Sequence, residues 1–224
     1  MKRAAFFDLD GTLTTTNVWR GFLDYFKEYR LRRSTHRLFT ALHYPQYWLK
    51  SLGMINESTF RKNWSAHLAW YVRGYSPQKA MAVWEWVVKE FLPGNWRMDV
   101  KETLSRHQEN GDEVILVSAG PEPLLTEIAK SIGVKHAIGT RFEVKDGQYS
   151  GRSLQPVCID EFKASLSLAY LEQKKITVDL AQSSAYADSI TDLSLLEMVG
   201  YPAAVYPDRE LLQLAQQRSW KIIT

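Results

Sequence analysis

Four short apolar runs in this chain each stop at a polar turn, and each is followed by a helix-like pattern. Arg3 to Leu9 ends in Asp-Leu-Asp-Gly, Glu113 to Val117 at Ser118-Ala119-Gly120, Ser183 to Ala187 at Asp188-Ser189, and Ala203 to Tyr206 at Pro207-Asp208. Unbroken apolar runs of this length suit strands buried on both faces. The stretches Trp96 to Asn110, Pro123 to Ile132, Glu161 to Gln173 and Ile190 to Met198 read as helices. Strands alternating with helices predict an α/β fold, a parallel sheet covered on both sides. Between Gly139 and Gly151 an alternating stretch around Asp146-Gly147 predicts a hairpin.

The first run is separated from the others by a segment of different character. From Thr14 to Gly94 there are 12 Lys+Arg against 5 Asp+Glu, a net +7, whereas the rest of the chain carries −4. Six of the eight tryptophans (Trp19, Trp48, Trp64, Trp70, Trp84 and Trp86) also fall there. Apolar spacing predicts helices over Val18 to Arg33, Thr35 to Leu52, Glu57 to Tyr71 and Pro77 to Phe91. Residues 14–94 are therefore expected to form a helical domain inserted into an α/β core of residues 1–13 and 95–224.

Other classes are excluded or made unneeded by what the chain lacks. No apolar run approaches the roughly 20 residues of a membrane span, and no cleavage-site pattern follows Met1-Lys2-Arg3, so a cytoplasmic location is expected. Cys158 is the only cysteine, which rules out a disulfide or a cysteine-based metal site within one chain; a small, partly buried side chain is its ordinary reading. The five histidines show no metal-ligand spacing.

Ligands of open parallel sheets bind beyond the carboxyl ends of the strands, and polar residues collect there: Asp8 and Asp10, Ser118, Asp188, with Lys163 opening a helix and Asp192 one turn past Asp188. Taken singly, each has an ordinary role as a turn former, helix cap or solvated charge. In order, however, Asp-Leu-Asp-Gly-Thr, Ser-Ala-Gly, Lys and Asp-x-x-x-Asp match four motifs of the haloacid dehalogenase superfamily, which the chain resembles over almost its whole length through "FFDLDGTLT" and "ADSITDLSLL". The insertion after the first motif, the hairpin "TRFEVKDGQYSGR" and the lysine beyond it resemble the phosphoserine-phosphatase-like branch. The resemblance implies a Rossmann-like core with a four-helix cap over the site.

It also implies chemistry. Residues i and i+2 of a strand point the same way, so Asp8 and Asp10 can face one phosphate. By resemblance Asp8 is the nucleophile, forming an aspartyl-phosphate, and Asp10 is the acid and then the base. Carboxylates beside a phosphate dianion require a neutralising cation. Mg2+ fits, with Asp8, the backbone carbonyl of Asp10 and Asp188 as ligands and Asp192 behind them. Thr12, Ser118, the backbone N–H groups of Ala119 and Gly120 at a helix start, and Lys163 are the expected phosphate binders.

An EF-hand reading of the Asp-x-Asp-Gly motif fails, because its sixth and twelfth positions hold Leu13 and Trp19 rather than Gly and Glu. Haloacid dehalogenases themselves lack the second aspartate, so Asp10 favours a phosphate ester. Phosphoserine phosphatases carry a substrate-binding glutamate nine residues after the nucleophile; Asn17 stands here. The expected substrate is thus a small or lipid-like phosphate ester, with phosphoserine and phosphocholine as alternatives and a fold-retaining binding or regulatory module as the non-enzymatic one. The cap's cations and aromatics either build a small core with a solvated face or recognise substrate. A further reading lays Thr35 to Leu52 on a bilayer through Leu38, Phe39, Leu42, Tyr47 and Trp48. A nucleic-acid partner is not expected, since the basic residues are spread over several helices without a recognition motif.

Overall fold

A computed structural model of the chain describes residues 2–224. Strand β1 (Ala4–Asp8) is followed by four helices, α1 (Val18–Glu28), α2 (Arg33–Ser51), α3 (Glu57–His67) and α4 (Pro77–Trp86), and then by α5 (Met98–Glu109). The remainder runs β2 (Glu113–Pro121), α6 (Glu122–Ser131), β3 (His136–Thr140), β4 (Phe142–Lys145), β5 (Gln148–Ser153), α7 (Glu161–Lys174), β6 (Ser184–Ala187), α8 (Leu193–Glu197), β7 (Tyr201–Val205), α9 (Arg209–Gln217) and β8 (Lys221–Ile223). No helix among the described residues is long and apolar enough to cross a membrane.

Six strands form one parallel sheet in the order β3-β2-β1-β6-β7-β8, and β4 and β5 form a separate antiparallel hairpin. All five residues of β1 are buried, and their period-2 alternation splits them between two cores. Ala5 and Phe7 face one, where Phe7 stacks on Tyr186 at 4.4 Å, while Ala4 and Phe6 face the other with Ile115 and Val117. The strand order reverses direction between β1 and β6, which places the crevice of such a sheet beside the end of β1.

The helical segment leaves and returns side by side: Thr15 N–H donates to the Asn95 carbonyl at 2.8 Å and Arg97 N–H to that of Leu13 at 2.9 Å. It shares an apolar core with the sheet, in which Phe22, Tyr71 and Trp84 of the helices join Leu9, Leu124 and Leu125. Capping follows the sequence: Ser76 accepts from Lys79 N–H ahead of Pro77, which suits the first helical position, and Asn56 accepts from Ser58 N–H.

Several elements differ from their sequence expectation. The first inserted helix ends at Glu28 rather than Arg33, because Arg30 and Arg32 take left-handed φ of 55° and 51°; the Arg32 guanidinium donates to the carbonyls of Tyr71 and Arg73. The third passes into a 3-10 turn at Leu68–Val72, and the fourth ends in a π turn at Val87–Phe91. Strand β2 runs on through Pro121, and β3 and β8 had no apolar run to announce them. Cys158 is wholly rather than partly buried, and burial pushes its thiol up to about 12.

Candidate active site

The parallel register sets Asp8 level with Val117, so Ser118 stands one residue beyond it on the neighbouring strand. Asp188 follows the last residue of β6 on the other side. Lys163 sits in the first turn of α7, wholly buried, and reaches back between two carboxylates: its Nζ lies 2.6 Å from Asp8 Oδ1 and 2.7 Å from Asp192 Oδ1. Asp8 Oδ2 is buried without a hydrogen-bond partner. Burial alone would lower the Lys163 pKa, but the charges of Asp192 and Asp8 outweigh it and hold the ammonium protonated.

Asp8, Asp188 and Asp192 each offer an oxygen within 4.8 Å of the others. Burial, and then repulsion from Asp8 and Asp192, pushes Asp188 up to about 7; burial likewise raises Asp8 against the pull of Lys163. An all-oxygen donor set with more negative charge than the one lysine offsets, and with one orphaned oxygen, fits a hard divalent cation. Lys163 holds one oxygen each of Asp8 and Asp192, which leaves the unpartnered Asp8 Oδ2 and the carboxylate of Asp188 best placed to bind it directly.

Asp10 projects differently from Asp8. Its Oδ1 accepts the Val18 N–H at 2.6 Å, where α1 begins, and its Oδ2 accepts the Ser118 hydroxyl at 3.3 Å. Burial, then the charge of Asp8, pushes it up to about 7, so its carboxyl can exchange a proton near neutrality. Its side chain is outside the acidic cluster, which leaves only its backbone carbonyl for the metal role expected of it.

The remaining expected residues gather here with altered detail. Thr12 is wholly buried and its hydroxyl donates to Asp188 Oδ1 at 3.3 Å, which orients that carboxylate. Ser118, Ala119 and Gly120 lie within β2 rather than at a helix start, and the Gly120 N–H is taken by the Ser118 hydroxyl at 3.0 Å, which removes it as a ready phosphate donor. Gly11, at φ +94°, lets Asp188 close in: a Cβ there would sit 2.1 Å from Asp188 Oδ2. Gly11→Ala is therefore expected to lower stability by about 1–3 kcal/mol and to weaken divalent-ion affinity at least as clearly, read by denaturant unfolding and calorimetric titration.

A cavity of about 510 Å3 opens over these carboxylates, with Asp8, Asp10, Lys163 and Asp188 on its sheet side and Asn17, Trp19, Phe60 and Trp64 among the helical residues facing them. Trp19 and Trp64 meet edge to face at 5.0 Å. Three charged residues that the sequence did not single out, Arg20, Glu57 and Arg61, also line it. Arg61 lies 3.4 Å from Asp160, which also accepts the Ser58 hydroxyl. Asp160, at φ +48°, immediately precedes α7, so a side chain that could have capped that helix ties it to α3 instead. A larger opening of about 730 Å3 beside the amino end of β1, lined by Arg3, His107, Asp112, Tyr186 and Trp220, holds no cluster of three acidic side chains among the described residues.

A family model described as haloacid dehalogenase-like hydrolase matches residues 5–197. The chain is 30% identical over 227 residues, 98% of its own length and 70% of the relative's, to a phosphoserine phosphatase of Mycobacterium tuberculosis. It is 28% identical to a histidinol-phosphatase of Neisseria meningitidis, covering 100% of this chain and 99% of that one. Among solved structures, a protein of unknown function from Bordetella pertussis superposes with a TM-score of 0.82 at 26% identity, covering 100% and 99% of the two chains.

Proposed function

The chain belongs to the haloacid dehalogenase-like hydrolase family, in its phosphoserine-phosphatase-like branch, and from that premise we propose a Mg2+-dependent phosphomonoesterase in which Asp8 carries the phosphoryl group. The observation that carries this reading is Lys163 held between Asp8 and Asp192, with a buried, unpartnered oxygen on Asp8, which lines one cavity with Asp10 and Asp188.

In the first step an oxygen of Asp8 bonds to phosphorus as the ester P–O bond breaks, and Asp10 gives its proton to the departing alkoxide. In the second, water attacks the aspartyl-phosphate while Asp10 takes the water's proton, and inorganic phosphate leaves. Lys163 fixes Asp8 and offsets charge on the transferring group. The Ser118 hydroxyl, which donates to Asp10 Oδ2 at 3.3 Å, would turn to a phosphate oxygen. Mg2+ held by Asp8, Asp188 and the Asp10 carbonyl would supply charge neutralisation and polarise the phosphoryl oxygen. Residues 14–94 act as the cap and 1–13 with 95–224 as the core. The substrate is a small or lipid-like phosphate ester whose alcohol lies against Trp19, Phe60 and Trp64; with neutral Asn17 in place of a carboxylate, a phosphoserine ammonium has no counter-ion there, while the Trp19–Trp64 pair suits a quaternary ammonium such as that of phosphocholine.

Hydrolysis of an aryl phosphate with Mg2+ is expected to fall at least ~100-fold on adding a chelator. Metal-independent turnover would remove the mechanism, and inactivity over a broad ester panel would favour the binding-module reading. The acidic cluster also makes metal-free stability pH-dependent. Asp10 and Asp188 sit near 7 in the folded chain against an ordinary 3.8. The folded state therefore binds more protons than the unfolded one in that window, and stability is lost as pH rises through it. The rise in Tm on adding Mg2+ should accordingly be larger at about pH 8 than at about pH 5.5.

A further inference from the structure

The cap's second helix presents two unlike faces. Phe39, expected from sequence to touch a bilayer, is 2% exposed and packs on Trp64 and Tyr71, with His43 buried beside it. On the outer side Leu38 (62% exposed), Leu42, Pro45, Trp48 (66%) and Leu52 (71%) follow at spacings of four, three, three and four, one stripe roughly 21 Å long at 1.5 Å per residue. Met54, 71% exposed, extends it past the helix end.

The surroundings of this stripe are cationic. Between residues 29 and 56 there are five Lys+Arg and no Asp or Glu, and of these Lys50 pairs with Glu57 at 3.2 Å. Arg32 is turned inward on carbonyls, whereas Arg30, Arg33 and Arg37 are exposed. At the helix's amino end a hollow of about 390 Å3 is lined by Lys27, Arg30, Arg33 and Arg37 around Leu23 and Phe26, with no carboxylate in its wall.

We propose that this face docks the protein on an anionic lipid bilayer, the stripe entering the interfacial region and the cation-lined hollow taking a phosphate-bearing headgroup. The charge pattern selects that occupant. A second copy of the same face would oppose arginines with arginines and, besides the Glu57 already paired with Lys50, supply a single carboxylate, Glu143, which lines the opening beside Leu38 together with Arg73, Lys145 and Arg152, whereas an anionic bilayer offers both an apolar layer and negative charge to one surface. The inference needs the cap's outer face alone and stands independently of the catalytic reading; Asp8→Asn, which removes turnover, leaves docking unchanged.

Sedimentation with phosphatidylcholine vesicles containing about 30% phosphatidylglycerol should show at least ~10-fold tighter binding than with phosphatidylcholine alone. Arg33→Gln with Arg37→Gln should abolish that preference, and Trp48→Ser with Leu52→Ser should weaken binding to anionic vesicles at least ~10-fold. Each pair should keep wild-type aryl-phosphate hydrolysis, which reports folding. Equal or absent binding to the two vesicle types overturns the proposal, as does binding unmoved by either pair. A vesicle-free dimer that Trp48→Ser with Leu52→Ser turns into a monomer also overturns it, by assigning the face to self-association.

Discussion

Asp8→Asn is expected to lower kcat for an aryl phosphate by about 10^4-fold or more, since loss of a nucleophile removes the step on which the other groups act. The substitution is nearly isosteric, and the amide oxygen can still accept from Lys163, whose Nζ is 2.6 Å from Oδ1. It also removes one of the clustered charges that push Asp188 up, so the fold should persist and a circular dichroism spectrum should match that of the wild type. Asp10→Asn should fall by a smaller factor, roughly 10²–10⁴, the usual worth of acid–base assistance. Rapid quenching of the wild type should give a chain heavier by one phosphoryl group, and Asp8→Asn should give none. A variant at position 8 retaining turnover within about tenfold of wild type would move the nucleophile elsewhere.

Lys163→Met is expected to destabilise the protein by about 3–5 kcal/mol in chelator, because it leaves two buried carboxylates without their shared counter-ion. Both partners are nearly as deeply buried as the lysine. Without the ammonium, ionised Asp8 and Asp192 repel each other in a site where desolvation already raises Asp8. Protonation then relieves the strain. The loss should be largest at about pH 8 and shrink as pH falls toward about 5, whereas loss of an ordinary surface ion pair would cost the same across that range. Adding Asp192→Asn should restore part of the stability, since the two positions are coupled through one contact. Urea unfolding at the two pH values measures both effects; a loss below about 1 kcal/mol at pH 8 would mean that Lys163 is not the group neutralising the cluster. Turnover should fall in the single variant even where it is folded.

Part of this site was readable along the chain and part was not. Asp8 and Asp10 announce themselves because a buried run stops abruptly at two acids and a glycine, and Asp188 and Asp192 because a second run stops likewise. Lys163 had no local signal beyond opening a helix; that it lies between Asp8 and Asp192 rests on how α7 packs. Glu57 and Arg61 belong to a helix whose pattern says only which side is apolar. His43 and His67 show no spacing of interest yet hydrogen-bond at 3.1 Å in the cap, where burial and then His67 lower His43 to about 4. The Ser118-Ala119-Gly120 segment reads as a helix start because small residues favour turns, but β2 runs on through it to Pro121, which pairs with Thr140 of β3, and the three residues form an irregularity within the strand.

What the sequence by itself determined is the alternation of buried strands and helices, the inserted basic and aromatic segment, and the polar residues that end each strand. Those are set by apolar periodicity and turn chemistry over a few residues. Tertiary structure alone decided the strand order that sets Asp8 beside Asp188, the shared lysine, the break between the first two inserted helices at Arg30 and Arg32, and which side of α2 faces outward. Each of these depends on contacts between residues far apart in the chain and on the desolvation those contacts impose, and neither quantity exists until the sheet has closed.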